Sequence, residues 1–159
     1  MNHNEEFRIS IISESVEDNF EEKLAKALSS LDSNLMVSIL TGREAADIET
    51  ILTDSNLILI KSGSLRLEAL EKKTFGKAII LINPEISSVL KNKLYLINNR
   101  VLIISCSDSG YFDISSTSFH DLISGSSMKI MHNCNEEKMS SRSESIARIV
   151  TKFLEESDL

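Results

Sequence analysis

Five short apolar runs, separated by amphipathic stretches long enough to be helices, limit what this chain can fold into. They are Phe7 to Ile12, Met36 to Leu40, Leu57 to Ile60, Lys77 to Ile82 and Val101 to Ile104. The last three are nearly continuous Ile, Leu and Val. A strand with one wet face alternates apolar and polar residues; a strand covered on both faces does not. The runs therefore predict strands of a parallel sheet. Between the first two, Asp18 to Leu31 sets Phe20, Leu24, Ala27, Leu28 and Leu31 at helical spacing. Asp18 and Glu21 have the spacing of a capping box at its start. Arg43 to Leu52, Leu65 to Lys73 and Pro84 to Leu96 read as three further helices, Pro84 standing where a missing N–H costs nothing. The last amphipathic stretch, Ser143 to Glu156, carries Ile146, Ile149, Val150, Phe153 and Leu154 as its apolar stripe. Regular βα alternation with right-handed crossovers predicts a three-layer α/β sandwich. Its sheet is five-stranded and parallel, with helices on both faces.

The chain has 159 residues, enough for one domain. Its core spans 7–105 and its closing helix 143–156. Between them, 106–142 forms a serine-rich excursion: thirteen serines fall within 105–145. Met128 to Met131 suits a short edge strand, while the stretch as a whole reads as an excursion packed on the strand ends. Seventeen basic against twenty-four acidic residues give a net charge of −7, which repels phosphate backbones and excludes general nucleic-acid binding. No apolar run approaches the ~20 residues that a membrane helix needs. The opening residues lack a basic segment followed by an apolar one, so a cytoplasmic location is expected.

Cys106 and Cys134 read as reduced thiols, with Cys106 a buried and inert one. His132 and Cys134, with His120 and Asp121, lack the paired spacing of a structural zinc site. The chain contains no Gly-x-Ser-x-Gly elbow, no Gly-x-Gly-x-x-Gly and no P-loop.

RISIISESVEDNFEEKLAKAL resembles the first strand, acidic turn and first helix of a response-regulator receiver domain. VSILTGREAADIETILTDSNLILIK resembles that family's second strand, its Gly-x-Glu-Ala helix opening and its third strand. The resemblance implies a flavodoxin-like fold with a pocket formed by Ser13, Glu14, Lys61, Asn83 and Ser105. Lys61 would replace the phosphoacceptor aspartate, and Ser105 the lysine that senses the phosphoryl group. Glu14 alone would remain of the acidic set, so no magnesium or other cofactor is implied, and Lys61 would pair with Glu14. The chain would then be a degenerate receiver of bacterial two-component signalling. It would be no enzyme and would act through a protein partner: a signalling kinase, a regulator, an output domain or a second copy of itself. The alternative is a small-ligand α/β enzyme. SESVEDNF and SLRLEALEKK faintly resemble Toll/interleukin-receptor domains, which would make Glu68 or Glu71 an NAD-cleaving glutamate.

Overall fold

All five apolar runs become strands, and the serine-rich stretch supplies a sixth. In the computed structural model they are β1 (Phe7–Ser13), β2 (Leu35–Thr41), β3 (Leu57–Lys61), β4 (Ala78–Ile82), β5 (Arg100–Cys106) and β6 (Ser127–Met131). Two α-helices, α1 (Phe20–Leu31) and α2 (Ser143–Glu156), and a 3₁₀ helix (Glu136–Arg142) complete the described elements. The structure describes residues 6–13, 19–41, 54–61, 78–84, 100–108, 123 and 125–156. The expected helices over 43–52 and 65–73, and all but the first residue of 84–96, lie outside these residues. So do Glu14, Asp18, Glu68 and Glu71.

The strands lie in the order β2-β1-β3-β4-β5-β6, all parallel. The chain steps from β1 out to β2, returns past β1 to β3, and then proceeds in one direction to β6. That reversal makes the β1/β3 boundary a topological switch point. Ligands of open α/β sheets bind outside the carboxyl ends of the strands at such a point.

The expected five-stranded sheet is thus corrected to six strands. Ser127–Met131 pairs with β5 from Leu102↔Ser127 to Cys106↔Met131. Its residues alternate between exposed and part-buried until Met131, which is buried, as an edge strand requires. β3 and β4 instead bury almost every side chain.

Both faces of the sheet are buried. One face gathers Ile9, Ile11, Leu57, Leu59, Ile80, Ile82, Ile104, Cys106 and Met131 into a single core with both helices. α1 contributes Phe20, Leu24 and Leu28; α2 contributes Ile146, Ala147, Val150 and Phe153. Ile58, Ile60, Ile79, Leu81, Val101 and Ile103 are equally buried on the opposite face. At about 1.5–3 kcal/mol per fully buried large aliphatic side chain, these two layers dominate the stability of the fold.

The expected capping box is not what starts α1. The residue before the helix is Asn19, in the left-handed region at φ 60°, and its side chain makes no cap hydrogen bond. Glu21 turns instead into the sheet, where its carboxylate has a stronger partner.

Candidate active site at the carboxyl edge

Two polar clusters occupy the carboxyl ends of the strands. The first lies at the switch point. Parallel register sets Ser13 of β1 beside Lys61 of β3. Lys61 Nζ donates to Glu21 Oε1 across 2.9 Å, and the ammonium lies 5.1 Å from the centre of the Phe20 ring. Glu21 is fully buried and the Lys61 side chain only 11% exposed. Glu21 lies in the first turn of α1, where the helix dipole favours an acidic side chain. The second carboxylate oxygen, Oε2, has no hydrogen-bond partner among the described residues. A buried acceptor therefore lies where this sheet architecture binds ligands.

The second cluster joins β4, β5, β6 and the 3₁₀ helix. Asn83 ends β4 in the left-handed region, φ 46°, where Asn is tolerated better than most residues. Its backbone N–H donates to the Ile104 carbonyl at 2.9 Å. Its Oδ1 accepts from the Cys106 N–H at 2.8 Å, and its Nδ2 donates to Met139 Sδ at 3.1 Å. One buried side chain thus fixes both the end of β5 and the 3₁₀ helix. Cys106 Sγ and Cys134 Sγ lie 2.9 Å apart inside this cluster, both fully buried.

Beyond these residues, β5 runs into the turn Ser107-Asp108 and β6 into the turn His132-Asn133. The two turns are tied together. Ser107 N–H donates to the Met131 carbonyl and Asp108 N–H to the Cys134 carbonyl, each at 2.9 Å. Asn133 N–H donates to Ser107 Oγ at 3.2 Å, and Arg142 Nη1 reaches the His132 carbonyl at 3.3 Å. Asp108 and His132 are exposed, on neighbouring turns at the same edge of the sheet.

Of the five pocket positions, Ser13, Lys61, Asn83 and Ser105 do stand at strand ends, and Glu14 lies outside the described residues. Side-chain alternation puts Cys106 on the face of Lys61 and Ser13, and Ser105 on the other. Ser105 Oγ is buried with no hydrogen-bond partner among the described residues. Among the described residues, the carboxylate paired with Lys61 is that of Glu21. Sequence reasoning weighed His132 only as a metal ligand and did not single out Asp108. The missing signal was β6: once Ser127–Met131 is a parallel strand, His132 stands at its carboxyl end. A separate groove of about 300 Å³ opens at the amino end of β5 and β6, lined by Arg100, Lys129, Arg148, Lys152, Phe153 and Glu156. It lies at the opposite end of the strands from these clusters.

No family model and no curated protein matches the chain. Solved structures do. A predicted CIB-like hydrolase from Thermoplasma acidophilum superposes with a TM-score of 0.75 at 16% identity, over 97% of this chain and 88% of that one. The esterase domain of a Rhodothermus marinus protein gives 0.73 at 8% identity, over 95% and 89%. A thioesterase domain from the curacin biosynthetic pathway gives 0.72 at 9%, over 92% of each chain. These likenesses overturn the receiver resemblance. The order 2-1-3-4-5 belongs to flavodoxin-like sheets as well, so a reading confined to five strands could not separate the two folds. The non-catalytic, two-component signalling role and the expectation of no enzyme rested on that resemblance and fall with it. Among the described residues no helix is long and apolar enough to cross a membrane. The chain has the six-stranded parallel α/β fold of these hydrolases.

Proposed function

We propose that the protein is a hydrolase of small esters or thioesters, acting at the carboxyl edge of its sheet. The observation that carries this reading is which residues follow each strand in the sequence. The residues following β3 are Ser62, Gly63 and Ser64; Asp108 follows β5; His132 follows β6. Nucleophile, acid and base in the order Ser–Asp–His is the arrangement that the α/β-hydrolase architecture uses. The chain departs from the usual elbow: Lys61-Ser62-Gly63-Ser64 carries one glycine and not the Gly-x-Ser-x-Gly pair.

In this reading His132 takes the proton of the attacking serine hydroxyl and later returns it to the leaving group. Asp108 orients the imidazole and balances its charge. The bonded turns that carry the two residues hold them at a fixed spacing. The solved neighbours support the reaction class, being hydrolases, an esterase and a thioesterase.

The test is turnover of p-nitrophenyl acetate and of a short acyl thioester by the full chain. His132→Gln and one of Ser62→Ala or Ser64→Ala are expected to lower kcat by about 10³-fold or more, and Asp108→Asn by up to about 10⁴-fold. A fluorophosphonate should label a peptide containing Ser62 or Ser64. Wild-type protein that turns over neither substrate and takes no label, or a His132→Gln variant with full activity, rejects the proposal.

A further inference from the structure

We infer that Cys106 and Cys134 form a disulfide on exposure to peroxide, making the β5/β6 end of the sheet a site of reversible oxidative modification. Twenty-eight residues separate them in sequence, yet their sulfurs stand 2.9 Å apart. That is about 0.9 Å longer than a disulfide bond. The approach is set by the fold around them. Asn83 pins the Cys106 backbone, Asp108 N–H holds the Cys134 carbonyl, and Cys106 pairs in register with Met131, three residues before Cys134. Bond formation therefore asks for a small closing movement of two side chains and no rearrangement of the sheet.

The surroundings select the oxidant. Both thiols are buried, among Met131, Met139 and aliphatic side chains. A bulky disulfide reagent does not enter such a site, whereas hydrogen peroxide is close to water in size. One of the two sulfurs attacks one peroxide oxygen. The O–O bond breaks, the sulfur becomes a sulfenic acid, and hydroxide leaves as water with the thiol's proton. The other sulfur then attacks the sulfenic sulfur. The S–S bond forms, the S–O bond breaks and a second water departs. The two thiols lose two electrons and two protons, and one peroxide becomes two waters. A dithiol reductant reverses the change.

The inference does not depend on the hydrolase reading. What it adds is a covalent tie between the turn that carries Asp108 and the turn that carries His132.

The experiment treats the full-length protein with hydrogen peroxide. It then counts thiols in denaturant, measures intact mass, maps peptides without reduction and records Tm. The expected result is a thiol count falling from two to none and a mass lower by two hydrogens. A cross-linked Cys106–Cys134 peptide should appear, and Tm should rise by about 5 °C or more, all reversed by dithiothreitol. Cys134→Ser should keep one thiol or its oxygen adduct and show no Tm rise. Two thiols surviving prolonged treatment, two separate oxygen adducts, or a disulfide between two chains would each overturn the inference.

Discussion

The two clusters at the carboxyl edge meet the same demand by opposite means. At the switch point, polar atoms are held by charge: Lys61 reaches Glu21 across 2.9 Å, and the second carboxylate oxygen has no hydrogen-bond partner among the described residues. At the β4–β6 end they are satisfied by neutral bonds. Asn83 serves the Ile104 carbonyl, the Cys106 N–H and Met139 Sδ, and the sulfurs of Cys106 and Cys134 share one contact. Desolvating two charges is costly, and a buried ion pair recovers that cost only with good geometry and further hydrogen bonds. A neutral network costs less to desolvate and loses less when one member changes. The charged corner is therefore brittle and the neutral corner tolerant.

The largest expected effect breaks the charged corner. Lys61→Met leaves the buried Glu21 carboxylate without its cation and should lower stability by about 3–5 kcal/mol, read from the urea midpoint at constant m. Lys61→Met combined with Glu21→Leu removes both charges and should return stability to within about 1 kcal/mol of wild type or above it. A double variant as unstable as the single one would show that the pair is not what makes this corner brittle.

A smaller effect is expected at the neutral corner. Asn83→Ala strands the buried Cys106 N–H and should cost about 1–3 kcal/mol. A loss as large as that of Lys61→Met would abolish the contrast between the corners. The smallest concerns the 3₁₀ helix, whose first turn is capped by Asn135 Oδ1 accepting from the Lys138 N–H at 3.0 Å. Asn135→Ala should cost about 1 kcal/mol, visible as a small shift of the same midpoint.

The strands were legible because burial on both faces writes itself into sequence. Leu57 to Ile60 and Lys77 to Ile82 became β3 and β4 within a residue at each end. The stripe from Ile146 to Leu154 located α2 from Ser143 to Glu156. β6 was harder. It pairs with β5 alone among the described strands, and its Ser127 and Lys129 are what an exposed edge tolerates, so Met128 to Met131 suited an edge strand while the stretch around it still read as a serine-rich excursion. That single strand decided the fold family, because the other five are common to two folds. The site was less legible still. Lys61 and Glu21 are 40 residues apart, and their pairing follows from how α1 crosses the sheet. Glu21 had the spacing of a capping residue; the buried cation offered more than the helix end did. Cys106 and Cys134 met only because β6 runs parallel to β5.

An outermost strand also sets an order of opening. β6 has one lateral partner, whereas β3 and β4 are paired on both sides and buried throughout. Strands of the first kind detach in local fluctuations, while central ones part only when the whole molecule unfolds. Amide hydrogens of β6 should therefore exchange with solvent ahead of those of β3 and β4. Each such excursion carries Cys134 and His132 away from β5 together, so the rate at which one edge frays sets how often the buried sulfurs meet solvent.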